Sequence, residues 1–137
     1  TPSEAAESPG LDVLLPEFLH FCGNAVVAGH VVSIDLAFLN KEVNRLNGNN
    51  LRNRTVDTLK LYQWIRNREE NVCAYHGGMP EANDLFSLAR KYDIPVRQAH
   101  NAMADAFVTA QLLQRLLHEL TRWGITSIKD LAKIGNP

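Results

Sequence analysis

The run AVVAGH, residues 25–30, restricts the fold more than any other stretch of this chain. It has strand length and is apolar on both of its alternating faces, which describes a central strand covered on both sides. Such a strand needs paired neighbours on both edges, because its backbone N–H and C=O groups would otherwise be left without partners. The remaining sequence reads mostly as helix. LDVLLPEFLHFCGN (11–24) is a short amphipathic helix ended by Gly23 and Asn24. SIDLAFLNKEVNRLNG (33–48) has Ser33 as its N-cap candidate and Asn47-Gly48 as its stop. LRNRTVDTLKLYQWIRNREE (51–70) holds a second short extended piece and then a helix beginning after Asp57. Residues 71–83 read as a loop broken by Gly77, Gly78 and Pro80, and 84–95 as a short helix. Asn101 caps a long helix running to about Trp123, and 127–135 is a small terminal helix. The result is an α/β chain whose sheet is short of strands.

At 137 residues, with 45% hydrophobic and 21% charged residues, the sequence suits one domain with one core. No apolar run approaches the ~20 residues that span a bilayer, and the polar, acidic opening TPSEAAESPG is not a secretory signal. The net charge of -1 offers no bulk attraction for nucleic acid, but does not exclude a site that grips a strand end through metal ions. Two cysteines make no disulfide framework, so a reduced, cytoplasmic setting is expected. The chain has no initiator Met, which suggests a piece of something longer.

Two histidines are each followed, with four residues between, by an aspartate in the first turn of a helix: His30–Asp35 and His100–Asp105. On a helical wheel Asp105 falls with Val108, Thr109, Leu112 and Leu116, while Gln111, Gln114, Arg115 and His118 lie on the far side. Asp35 falls with Leu39 and Leu46, away from Lys41, Asn44 and Arg45. One first-turn aspartate is ordinary helix-dipole chemistry, worth roughly 0.3–1 kcal/mol. Two on inward faces ask for a cation or several hydrogen bonds. Oxygen donors of this kind suit Mg²⁺ or Mn²⁺, and a histidine beside them can take a proton from water.

These residues, with LPEFLHFCGNAVVAGHVVSIDLAFLNKE, RTVDTLKL and LFSLARKYDIPVRQAHNAMADAFVTAQLLQRLL, resemble the DEDDh family of 3′–5′ exonucleases, the proofreading-subunit-like enzymes of ribonuclease H-like fold. The resemblance covers roughly residues 1–120. It implies that Asp35 is the second-motif aspartate, Asp105 the third-motif aspartate and His100 the general base. It sets the second motif around 30–39 and the third around 100–110. Asp57 matches the family's DT-L segment, where capping or local support is a better reading than metal binding; His30 is a secondary site candidate. Where the family has Asn after the motif histidine and Phe before the aspartate, this chain has Val31 and Ile34. The family's first motif, Asp-x-Glu on a central strand, is absent, since no aspartate here has a glutamate two positions later. Residues 1–137 then correspond to the C-terminal two-thirds of one exonuclease domain, with the first three strands supplied upstream in the same polypeptide or by another chain.

The resemblance further implies a two-metal site, with ions about 3.5–4 Å apart clamping the terminal phosphodiester of a single-stranded 3′ end of DNA or RNA. Four carboxylates hold the ions in the family and two are present here, so this chain alone is expected to be weakly active or inactive. The rival reading is a catalytically incomplete module that binds a partner or a nucleic-acid end without cutting. Pairing into homo-oligomers is an expectation carried from relatives. His20, Cys22, Cys73 and His76 have zinc-like spacing, but small buried thiols are the simpler reading. Tyr62, Trp64 and Tyr75 suit packing better than base stacking, and Arg52, Arg54, Arg66 and Arg68 suit a solvated face.

Overall fold

The computed structural model describes residues 9–72, 83–96 and 101–136. In chain order these form α1 (Leu11–Cys22), β1 (Val27–Gly29), α2 (Val32–Asn47), β2 (Thr55–Asp57), α3 (Thr58–Val72), α4 (Leu85–Lys91), α5 (Ala102–Thr121) and α6 (Ile128–Ile134). The apolar run does become a strand, and TVD is its partner. The two are parallel, with Val27 opposite Thr55, Ala28 opposite Val56 and Gly29 opposite Asp57. Helix α2 makes the crossover that a parallel pair requires.

The two edges of this small sheet differ. Beyond β2, the Asp57 N–H donates to the Gly135 carbonyl at 2.7 Å, so the end of α6 closes that side. Beyond β1 no strand pairs among the described residues, and Ala28 is exposed. The Val27 N–H donates to the Arg54 carbonyl, so by alternation the backbone groups of Ala28 face the open side.

Most of the buried apolar volume lies among β2, α3, α4 and α5. Val56, Leu61, Ile65, Leu88, Val108, Leu112 and Leu116 form one cluster, joined by Trp64, Leu85, Ile125 and Ile134 at its margin. The four-residue steps Val108, Leu112, Leu116 and Leu120 make the buried stripe of α5. Tyr62 and Tyr92 meet edge to face with ring centres 6.4 Å apart. The Tyr92 hydroxyl donates to Glu119 at 2.8 Å, tying the end of α4 to α5. Burial, and then this carboxylate, push the Tyr92 phenol well above its usual range. Helix α4 ends at Lys91, earlier than Pro95 would require, because Asp93 turns left-handed with φ of 52°. No helix of the described residues is long and apolar enough to cross a membrane.

The largest departure from the sequence reading is the start of α2. Ser33 is not its cap. Val31 occupies the cap position in the left-handed region, with φ of 56° and ψ of 43°, and caps with no side chain of its own. The Val31 and Val32 N–H groups instead donate to Oδ1 and Oδ2 of Asp57, at 3.0 and 3.1 Å. A carboxylate 25 residues downstream performs the capping, which local sequence could not reveal.

Candidate active site

A cleft of about 550 Å³ opens between β1 and α5. Ala28, Gly29 and His30 line it from the strand, Asp35 from α2, Leu85 from α4, and Ala102, Asp105, Ala106 and Thr109 from the first turns of α5. The chain thus brings His30 and Asp35, from residues 30–35, and Asp105, 70 residues on, to one space. Asn101 starts α5 by accepting the Ala104 N–H at 3.2 Å, which fixes the turn carrying Asp105. His100 lies outside the described residues, as do Cys73, Tyr75, His76, Gly77, Gly78 and Pro80.

The two aspartates are not equivalent. Oδ1 of Asp105 is buried and has no hydrogen-bond partner among the described residues. A carboxylate oxygen withdrawn from water in this way is costly unless a cation or donor meets it. Asp35 is exposed, contrary to the wheel. The buried residues of α2 are Val32 and Val43, with Leu36 and Leu39 partly covered, so Asp35 sits on the flank of the buried stripe and at the rim of the cleft.

Asp57 has no oxygen to spare. It is 3% exposed, and besides the two α2 amides it accepts the Leu59 N–H at 2.9 Å. Its carboxylate organises the starts of α2 and α3. His30 is similarly engaged, with Nδ1 2.9 Å from the Thr58 hydroxyl and Nε2 3.0 Å from the Asn83 carbonyl. Asp84, just beyond, caps α4 by accepting the Phe86 and Ser87 N–H groups. Hydrogen bonding from the Ser87 side chain, and then from these backbone N–H groups, holds its carboxyl below the usual carboxylate range.

The other sequence candidates lie elsewhere. Arg52 and Arg54 border a separate hollow with Gly23, Asn24 and Val26. Arg66 pairs with Glu69 and Glu70, and Arg68 lies over the Trp64 ring at 4.8 Å. Tyr62 is buried in the core.

Sequence reasoning gave no role to the outer face of α5. Met103 is 81% exposed and Phe107 67%, with Ala106 and Ala110, which face β1 across the cleft, beside them, so the start of this helix carries a second apolar stripe that nothing among the described residues covers. The signal was present in the sequence, since on the wheel Met103 and Phe107 are apolar residues on the far side that Gln114 and His118 share.

The model of the RNase_T exonuclease family matches residues 1–113. The chain belongs to the exonuclease family. Among the curated relatives of this exonuclease chain is the DNA polymerase III subunit epsilon of Aquifex aeolicus, 30% identical over 127 residues. That alignment takes in 92% of this chain and 57% of the relative. The PolC-type DNA polymerase III of Staphylococcus haemolyticus is 29% identical over 131 residues, covering 96% of this chain and 8% of that protein. That of Latilactobacillus sakei is 35% identical over 106 residues, covering 77% and 7% respectively. The mixed α/β architecture, with its small parallel sheet, agrees with a ribonuclease H-like exonuclease domain.

The departure at Val31 acquires a cost in the structure. A β-branched residue in the left-handed region is strained by roughly 1–2 kcal/mol, whereas Asn tolerates it. Val31→Asn, which restores the residue the exonuclease motif usually carries, is expected to stabilise the chain by about 1 kcal/mol in urea unfolding. An unchanged or lower midpoint would show that the strain is relieved elsewhere.

Proposed function

We propose that this chain is the larger part of a DEDDh-type, divalent-metal-dependent exonuclease domain that removes nucleotides from the 3′ ends of single-stranded DNA or RNA in the cytoplasm. The observation that carries the reading is the shared cleft: Asp35 and Asp105, from the first turns of two helices, line one space, and one oxygen of Asp105 is buried with no partner among the described residues. Their oxygen donors suit Mg²⁺ or Mn²⁺. Such ions, when bound, would activate water and neutralise charge on the phosphodiester.

Within this chain the roles divide by position. Asp105 and Asp35 hold the metal side of the site, and His100, one residue before the Asn101 cap, takes the proton of the attacking water. Asp57 keeps the second-motif helix in place. Among the described residues no group of three His, Cys, Asp or Glu side chains could hold a metal ion. The other half of the ligand set is assigned to an Asp-x-Glu strand from the same parent polypeptide or another chain. Two features support its location along β1: the unpaired edge at Ala28, and the apolar stripe of Met103 and Phe107 that such a strand and its neighbours would cover. A polymerase as larger partner is suggested by the relatives' names. The two-carboxylate cleft also favours a second reading for this chain by itself, in which it holds a nucleic-acid end without cutting it. The deciding experiment is shortening of a 5′-labelled single-stranded oligonucleotide by the full-length protein, with Mg²⁺ or with chelator, and with Asp105→Asn as the inactive control.

A further inference from the structure

We infer that His30 is a positioning residue, a strut that fixes the start of α4 at the mouth of the cleft, and that it is neither a metal ligand nor a proton acceptor in the reaction. Nε2 lies 3.0 Å from the backbone carbonyl of Asn83. A carbonyl can only accept, so Nε2 carries a hydrogen. Nδ1 lies 2.9 Å from the Thr58 hydroxyl, which is itself 3.2 Å from the Gly29 carbonyl.

The hydroxyl has one proton and two places to send it. With a neutral ring, Thr58 donates to Nδ1. With a protonated ring, Nδ1–H donates to Thr58, and Thr58 donates to Gly29. The bond from Nε2 to Asn83 persists in both states. A histidine wired in this way keeps its hold whichever protonation state it is in, and it has no free lone pair to offer an ion or a water.

The three groups it joins are far apart in the chain. His30 directly follows β1, Thr58 opens α3, and Asn83 precedes Asp84, the cap of α4. Leu85, the first residue of α4, is part of the cleft wall. The strut therefore sets the distance between that wall and the strand end beside Asp35.

The activity test rests on the nuclease reading of the cleft and uses full-length protein carrying His30→Ala or His30→Gln. The glutamine amide can still donate toward Asn83; alanine cannot. For His30→Ala we expect KM for a single-stranded oligonucleotide to rise about tenfold, the scale of one lost hydrogen bond, with kcat and the pH profile little changed. His30→Gln recovers most of this. In parallel, amide exchange at Phe86 and Ser87, the two N–H groups held by the α4 cap, should quicken about tenfold in His30→Ala and not in His30→Gln. A large fall in kcat with a shifted pH profile or metal requirement would place His30 in the chemistry and overturn the proposal. Unchanged exchange at both amides would overturn it as well. If the unmodified protein shortens no oligonucleotide, the nuclease reading fails, while the exchange result still decides whether the strut exists.

Discussion

Asp105→Asn is expected to lower 3′-end trimming by the full-length protein about 10³-fold or more, because metal-ion catalysis supplies several kcal/mol and each 1.36 kcal/mol is tenfold in rate. Folding stability should hardly move. The substitution removes a carboxylate whose Oδ1 is buried with no partner among the described residues, which favours the variant. It also removes a negative charge from the first turn of α5, which disfavours it by roughly 0.3–1 kcal/mol. The two effects oppose each other, and the net change in urea unfolding is expected to stay within about 1 kcal/mol. Loss of activity at constant stability is the signature of a residue kept for function. If activity and stability fell together, Asp105 would be a structural residue and the cleft would lose its principal ligand.

Asp57→Ala is expected to do the opposite, destabilising the chain by about 3–5 kcal/mol, since each buried donor left unsatisfied costs about 1–3 kcal/mol. Three backbone N–H groups, of Val31, Val32 and Leu59, lose their acceptor together. Against the 5–15 kcal/mol typical of a domain, a loss of that size brings the chain close to unfolding. Asp57→Asn keeps one carbonyl oxygen and should cost less, about 2 kcal/mol. Chemical denaturation followed by circular dichroism checks both. A variant that unfolded like the parent yet lost metal affinity would show that Asp57 belongs to the metal site after all.

The contrast between these two aspartates marks how far the sequence could be read. Asp105 was legible because α5 is long and strongly periodic, so a wheel assigns its inward side, where Val108, Leu112 and Leu116 are buried. Asp35 was half legible. Its helix is capped from outside, and the buried side is set by Val32, which the sequence alone puts before the helix start. The role of Asp57 as a cap for α2 was not legible, because the contact joins residues 25 and 26 apart in the chain. The strand at 27–29 announced itself by being apolar on both faces, and the short extended piece before Asp57 was also legible, but TVD is too short and too polar to show that it pairs in parallel with 27–29. The open edge beside Ala28 was foreseen as a shortage of strands; the apolar stripe of Met103 and Phe107 that accompanies it was in the sequence and unread.

Trimming of a single-stranded 3′ end should be compared between residues 1–137 alone, at high dilution, and the protein as its own cell produces it. If Asp35 and Asp105 are half of a site completed by an Asp-x-Glu strand on the edge of β1, the isolated chain releases almost no nucleotide, while the natural protein trims with Mg²⁺ or Mn²⁺. Full activity from residues 1–137 alone, abolished by Asp105→Asn, would contradict this and mean that the two aspartates suffice.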